Sequence, residues 1–295
     1  MKVNRNIFSK LALNLAEVNL GKTRKNPSVG CVIVRKDAVI SSGITSISGR
    51  PHAEFNALNK NRFFKNSDMY VTLEPCTHYG LTPPCIKIIK KRKIKNVYYN
   101  FNDPDHRTYK KAKKFLNRYK IRSKKINPNK SDIYQSYFLN VNCKVPYIDA
   151  KIALSKDNLT INKKNKWITN KRSRKVGHLL RSRYDSIIST SKTINEDNSL
   201  LNCRIDGLNN NRPDLIIIDR NLRLKKNLKL FKITKKRNTF IVTSKNNDKK
   251  INYFKRKNIK IIKINKLNKK DDFLELFNKI YKKGKRRILV ESGLM

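Results

Sequence analysis

Acidic residues are scarce in this chain of 295: 21 Asp and Glu stand against 70 Lys and Arg, a formal net charge of +49. Glycine and proline are also few, nine of each. There is no internal repeat and no Pro- or Ser-rich linker. No apolar run approaches the roughly 20 residues that a membrane-spanning helix needs, so a membrane protein is not expected. The opening stretch, MKVNRNIFSKLALNLAEVNLGK, spaces its apolar residues periodically and interrupts them with Asn, Lys and Glu. It lacks a continuous apolar segment and a small-residue cleavage site, so no signal peptide is read there. Five cysteines (Cys31, Cys76, Cys85, Cys143, Cys203) are too few for a disulfide framework at this length. That points to a reducing, cytoplasmic setting and leaves some cysteines as candidate metal ligands. No Gly-x-Gly-x-x-Gly follows a strand-like run, so the dinucleotide fingerprint is missing as well.

What is present suggests a folded α/β protein. At roughly 100–200 residues per domain the length predicts two domains. The hydrophobic share of 38% is below the usual globular value, yet 12 Tyr, 12 Phe and one Trp argue against wholesale disorder. The positive charge is spread over the whole chain, with basic stretches at 110–125 and 249–270 mixed with Asn. A nucleic-acid protein concentrates its charge in a patch, arm or stripe. Lys, Asn and Ile share A/T-rich codons, so dispersion favours compositional drift over nucleic-acid binding.

The first half alternates helix and strand. Ile7, Phe8, Leu11, Leu15 and Val18 give residues 5–20 a helical period, stopped at Gly21. Residues 28–35 read as a buried strand, 53–60 as a helix after Pro51, and 69–74 as a strand. Pro83 and Pro84 open a helix at 85–93, followed by a strand at 96–101 and a helix at 108–119. The second half predicts strands at 147–154, 185–190, 214–219, 239–244, 259–264 and 286–291, with helices at 170–184 and 271–282. Strands separated by helices mean a sheet with helical crossovers. Because the chain stops four residues after Glu291, the last strand is expected to lack its covering crossover.

One window carries chemistry. Pro51-His52-Ala53-Glu54 is followed by Thr72-Leu73-Glu74-Pro75-Cys76 and by Pro83-Pro84-Cys85. One His and two Cys suit zinc with an open fourth position. Glu54 supplies a carboxylate that need not be a ligand and can move a proton from water to a leaving amine. These are the parts of a zinc deaminase. His52 and Glu54 are two apart, so on an ideal helix they would point about 200° apart. They converge only if the metal lies beyond the helix N-terminus. Cys85 also falls at a helix N-terminus, where the dipole favours the thiolate. The eight residues between the cysteines depart from the general Pro-Cys-x-x-Cys spacing.

The blocks Asn26-Pro27-Ser28-Val29-Gly30-Cys31-Val32-Ile33-Val34, Pro51–Glu54 and Thr72–Cys85, the last with its long insert, resemble the bifunctional deaminase–reductase family of riboflavin biosynthesis. The resemblance implies a cytidine-deaminase-like three-layer α/β domain over 1–144. A dihydrofolate-reductase-like α/β domain would follow over 145–295. It implies hydrolytic deamination of 2,5-diamino-6-ribosylamino-4(3H)-pyrimidinone 5′-phosphate, with His52, Cys76 and Cys85 holding one Zn²⁺ per chain and Glu54 shuttling the proton. Asn26, His78 and Asp103 would contact this substrate. The family usually has Arg or Lys where this chain has Leu81, and Asp-Pro-Asn where it has Asp103-Pro104-Asp105, which weakens the expectation of phosphate binding there.

In the second half, Lys151 to Asp157, Trp167 to Thr169, Leu180-Arg181, Thr193 to Arg204 and Arg287 to Gly293 match further blocks. They imply NADPH reduction of the ribosyl group of 5-amino-6-(5-phosphoribosylamino)uracil to a ribityl chain. Ala153, Trp167, Thr193, Asp197, Arg220 and Gly293 would contact NADPH. Asn165, Arg181, Leu201, Arg204 and Glu291 would contact substrate, with Arg181 and Arg204 clamping its phosphate. Lys151 is the candidate for proton transfer to the sugar oxygen, and Asp197 for orienting it. Asn158 and Asn198-Ser199 depart from the family's usual Gly and Asp-Pro. The family continues past Glu291 with a Gly-rich turn, so a C-terminally incomplete reductase with weak or absent NADPH turnover is expected. A homodimer through the second domain is also implied. Two other readings compete: a nucleobase or nucleic-acid deaminase with a basic RNA-binding surface, and a degenerate RNA-binding remnant.

Overall fold

The computed structural model describes residues 5–127, 132–160, 168–208 and 212–292. They fall into two compact units, 1–144 and 145–295.

The first unit runs α1 (Arg5–Val18), β1 (Gly30–Arg35), β2 (Ala38–Ile44), α2 (Ala53–Leu58), β3 (Asp68–Leu73), α3 (Cys85–Lys91), β4 (Asn96–Phe101), α4 (Ala112–Arg118), β5 (Arg122–Lys125) and α5 (Gln135–Cys143). Its sheet has the order β2-β1-β3-β4-β5. β1 is antiparallel to both neighbours, while β3, β4 and β5 are parallel. Alternation sorts the strand side chains. Val32, Val34, Tyr70 and Tyr98 face Phe8 and Ala12 of α1. Cys31, Ile33, Met69, Val71, Val97 and Tyr99 share the other core with Ala53, Ala57, Ile86, Ile89 and Leu116 of α2, α3 and α4. The result is three layers. Two glycines set the spacing: a Cβ on Gly30 would collide with the Ala12 carbonyl in α1, and one on Gly43 with the backbone of Ala53 and Ala57 in α2. Gly43 therefore lets the helix that follows His52 lie directly on the sheet.

The second unit runs β6 (Tyr147–Ala150), α6 (Lys171–Arg181), β7 (Ser186–Thr190), α7 (Ser191–Asp197), β8 (Asp214–Ile218), β9 (Thr239–Thr243), α8 (Asp248–Arg256), β10 (Ile259–Lys263), α9 (Lys270–Lys282) and β11 (Arg287–Val290). All its described pairings are parallel, in the order β10-β9-β8-β7-β11-β6. Ile251 and Phe254 of α8 pack with Ile187, Leu215, Ile217 and Leu289 on one face. Leu276 and Ile280 of α9 pack with Ile188, Ile216, Val242 and Ile288 on the other. The sheet is covered on both faces, as parallel sheets are.

One expectation is corrected here. β11 is not left uncovered: it lies between β7 and β6, and Ile288 and Leu289 are fully buried on opposite faces. Several elements were also not read from the sequence. β2 was missed because its hairpin turns on Lys36 and Asp37, both at positive φ (47° and 61°). Asn-Gly is the usual signal for that turn. β5 (Arg-Ser-Lys-Lys) is a short polar edge strand with none of the β-branched signal. The predicted helix at 108–119 begins only at Ala112.

Candidate active sites

His52 sits just before α2 with an extended backbone (φ −71°, ψ 161°), and Glu54 lies in the helix's first turn. Because His52 is not yet helical, the 100° step per residue does not separate the two side chains. Cys76 comes from the loop after β3, and Cys85 opens α3 behind Pro84. The His52 Nδ1 is 3.7 Å from Cys76 Sγ and 3.4 Å from Cys85 Sγ. All three ligand atoms lie within 4.8 Å of one another, and among the described residues no other such group of three converges.

The donor set fits zinc. A tetrahedral ion at about 2.0 Å from nitrogen and about 2.3 Å from sulfur sets N···S edges of roughly 3.5 Å. The Cys85 backbone N–H donates to Cys76 Sγ (3.2 Å). The hydrogen bond from the Cys85 thiol, and after it those from His52 and this N–H, hold the Cys76 thiol down at about 4 against burial. Sharing its proton with Cys76, and then burial, raises Cys85. The hydrogen bond to Cys76 raises His52. Thiolate character is the form a metal takes up. Glu54 is 4% exposed; burial pushes its carboxyl up to about 7.

These groups open into a cleft that is continuous with solvent. Asn26, His78 and Asp103, all read from the sequence, line it. The Asn26 Nδ2 donates to the Gly49 carbonyl (2.7 Å). Asp103 Oδ1 accepts from the Tyr137 hydroxyl (3.0 Å) and the Asp105 N–H (2.9 Å). Burial pushes Asp103 up to about 6. His78 Nδ1 is 3.0 Å from the buried Thr108 hydroxyl. Burial, and after it Arg107, lowers this imidazole.

Sequence reasoning missed Arg50, Glu74, Arg107 and Tyr137, which also line the cleft. Glu74 had a signal, since it lies inside the Thr72–Cys76 block. It is 2% exposed and accepts the backbone N–H of Asp103 (3.3 Å), Lys110 (3.0 Å) and Ala112 (3.0 Å). This carboxylate ties the loop after β4 to the end of β3, and it explains why α4 starts late. Arg50 adjoins the Pro51–Glu54 block. Arg107 and Tyr137 carried no local signal.

The second candidate site lies at the C-terminal ends of the parallel strands, where open α/β sheets bind ligands. Glu291 follows β11 and is 7% exposed. It accepts Arg181 Nε (2.5 Å) and Nη2 (2.8 Å), and Lys151 Nζ lies 3.7 Å away. Arg204 Nη2 is 3.2 Å from His178 Nε2. His178 Nδ1 meets the Asn202 carbonyl at 3.0 Å, so that nitrogen carries the proton. His178, one turn before Arg181, was missed. Arg181 Nη1 donates to the same Asn202 carbonyl (3.2 Å), so Lys151, Arg181, Arg204 and Glu291 are linked. Leu201 stands apart: its side chain is 6% exposed in the core and its carbonyl accepts Arg237 Nη1 (2.7 Å).

Of the residues expected to hold NADPH, Ala153 follows β6, Thr193 lies in the first turn of α7 after β7, and Arg220 follows β8. All three are at the strands' C-terminal side, a placement that fits a dinucleotide there. Arg220 Nη1 donates to Asn268 Oδ1 (2.7 Å). Asp197 ends α7 and is exposed. Asn165, Trp167 and Gly293 lie outside the described residues.

Residues 146–295 match the family model described as the RibD C-terminal domain, and residues 3–101 match the cytidine and deoxycytidylate deaminase zinc-binding region. The chain is 31% identical to the riboflavin biosynthesis protein RibD of Aquifex aeolicus (strain VF5) over 97% of its own length and 80% of that protein's. It is similar in structure to Acinetobacter baumannii RibD (TM-score 0.79, 26% identity, 97% and 80% of the two chains). It is also similar to a diaminohydroxyphosphoribosylaminopyrimidine deaminase/5-amino-6-(5-phosphoribosylamino)uracil reductase from Thermotoga maritima (TM-score 0.81, 25% identity, 98% and 80%). Among the described residues no helix is long and apolar enough to cross a membrane.

Proposed function

The chain belongs to the RibD family of riboflavin biosynthesis, and on that premise we propose which of its residues carry each of the family's two activities. The family joins a zinc-dependent deaminase to an NADPH-dependent reductase. We assign the first to residues 1–144 and the second to 145–295, with the phosphoribosylated pyrimidine as the shared small-molecule substrate. Work on such a soluble metabolite in the cytoplasm fits the thiol-rich site, and pairing of two copies through the second unit is part of the same reading.

His52, Cys76 and Cys85 would hold the zinc, whose Lewis acidity would make water a competent nucleophile near neutral pH. Glu54 takes the proton of the attacking water on a carboxylate oxygen and delivers it to the departing amino nitrogen. The C–O bond forms first, and the C–N bond breaks once the amino nitrogen is protonated, so that ammonia leaves. Asn26 and Asp103 orient the pyrimidine. The buried setting of Glu54 suits it to hold and release a proton near pH 7. In the second unit bound NADPH would supply the hydride for the sugar carbon. Lys151 gives the proton to the sugar oxygen, and Glu291 fixes both Lys151 and Arg181. Thr193, Arg220 and Ala153 would hold the cofactor, and Arg204 would bind the substrate phosphate.

The observation that carries this reading is the convergence of one imidazole and two sulfurs beside a buried Glu54. The purified chain is expected to hold about one zinc and to release ammonia from the diaminopyrimidine phosphate. A chain that takes up no zinc, or a Glu54→Gln variant as active as wild type, would overturn it. The RNA-directed reading makes the opposite prediction, ammonia release from RNA and not from the free pyrimidine.

A further inference from the structure

Leu81, at the tip of the loop between the cysteines, is 89% exposed and is not among the cleft-lining residues. The cleft nevertheless has a cationic rim. Among the described residues, the Lys or Arg side chains that line it are Arg50 and Arg107. Arg50 is held from the loop side: its Nη1 donates to Thr82 Oγ1 (2.5 Å). Arg107 is held from the other side by Asp105, through Nε (2.9 Å) and Nη2 (2.5 Å), while its own backbone N–H donates to Asp105 Oδ1 (2.9 Å). This pairing keeps the Asp105 carboxyl down at about 2. The Arg107 carbonyl in turn accepts the Thr77 hydroxyl (3.1 Å), which fastens the rim to the segment just after Cys76.

Among the described residues these two guanidiniums are set against four lining carboxyl groups, those of Glu54, Glu74, Asp103 and Asp105. Without the guanidiniums the cleft would repel an anion. Both guanidiniums lie in solvent-accessible positions, and each has N–H groups beyond those its protein partner takes up. Such a fork matches a phosphate geometrically as well as electrostatically.

We propose that Arg50 and Arg107 form the phosphate clamp of the deaminase cleft and set its preference for a phosphorylated pyrimidine. Asp105 is a positioning residue that aims Arg107. The proposal rests on the deaminase reading above. It gives this chain a phosphate site built from the segment before His52 and the loop after β4, without the exposed residue 81.

The test compares ammonia release by the zinc-loaded full chain from the phosphorylated substrate and from its phosphatase-treated nucleoside. Arg50→Ala and Arg107→Ala are each expected to lower the kcat/KM ratio of phosphorylated over dephosphorylated substrate about tenfold, chiefly through KM. Added salt shrinks the wild-type ratio in the same direction. Lys65→Ala removes one exposed charge near the opposite end of β3 and is the control; it keeps the wild-type ratio. Wild-type ratios in both arginine variants, or a ratio that Lys65→Ala lowers equally, overturn the clamp. Calorimetry with ribose 5-phosphate reads the site without turnover: the Arg50→Ala/Arg107→Ala double variant loses one binding event that the wild type shows. Identical isotherms overturn the clamp. A wild type that shows the event but releases no ammonia supports the clamp and overturns the deaminase reading instead.

Discussion

The two candidate sites treat their buried carboxylates in opposite ways. In the first unit Glu54 and Asp103 are 4% and 7% exposed, and burial lifts them to about 7 and about 6. Neither forms an ion pair among the described residues. In the second unit Glu291 is as deeply buried but is met by two N–H groups of Arg181 and by Lys151. A desolvated carboxyl without a cation is suited to taking and returning a proton. A carboxylate locked between cations is suited to holding them in place. On the proposed assignment, the difference separates a centre that would do acid–base chemistry through its carboxylate from one that would use its carboxylate as a frame.

The sharpest way to break this contrast is to remove each carboxylate's charge and read both activities. Glu54→Gln is expected to cut ammonia release about 10²–10⁴-fold. Zinc content stays near one per chain, and NADPH oxidation with the deaminated substrate stays at wild type. Loss of both activities together would show that the two centres are not independent.

Glu291→Gln should act first on stability. It leaves Arg181, only 14% exposed at its side chain, facing a neutral amide. Removing one member of a buried ion pair costs about 3–5 kcal/mol, and the exposure of Lys151 places this case at the lower end. Denaturant unfolding should show the loss in the transition of the second unit alone, with NADPH oxidation falling and ammonia release unchanged. A stability equal to wild type would mean that the Arg181–Glu291 contact is not a frame.

Asp103 gives the contrast a pH signature. Its folded pKa of about 6 lies above its ordinary value of 3.8, so the folded state binds the extra proton. The stabilising contribution is present in full below about pH 3.8 and is lost as pH rises through about 6. At 1.36 kcal/mol per unit the whole swing is about 3 kcal/mol. Asn at this position can still accept the Tyr137 hydroxyl and the Asp105 N–H. Asp103→Asn should therefore gain stability on the wild type between pH 5 and 8 while losing ammonia release. An unchanged pH–stability profile would show that Asp103 is not the group responsible.

The first site was largely legible because its chemistry is concentrated. His52, Glu54, Cys76 and Cys85 fall in two short Pro-marked blocks, and zinc selects a narrow donor set. Asn26, His78 and Asp103 came from the resemblance and do line the cleft. Arg50, Arg107 and Tyr137 escaped because their place in the cleft depends on tertiary packing: Tyr137 of α5, for example, reaches Asp103 across 34 positions of sequence. In so basic a chain a functional arginine is also hidden among 70 cations. The second site was less legible. Its groups hang from the ends of separate strands, each shared with the general pattern of a parallel sheet. Leu201 shows the limit, since the residue matched a contact position while its side chain fills the core. The long buried runs of β1, β3, β7, β8 and β9 were plain, whereas β2, β5 and α8 depended on turn geometry or on few apolar residues.

The smallest expected effect concerns the two imidazoles. His178 is fixed at Nδ1 by a backbone carbonyl, so its tautomer is set by the fold and no side-chain substitution at Asn202 can release it. His78 is fixed at Nδ1 by the Thr108 hydroxyl, which can donate or accept. Thr108 is fully buried, and Val matches its shape, so Thr108→Val removes the hydrogen bond with little change in packing. The expected cost is about 1 kcal/mol, read as a rise of roughly fivefold in KM for the phosphorylated substrate with kcat nearly unchanged. Thr108→Ser restores the hydroxyl and should recover most of the affinity. If Val and Ser behave alike, packing rather than the hydrogen bond holds His78. The ring would then resemble His178 in being fixed by the fold alone.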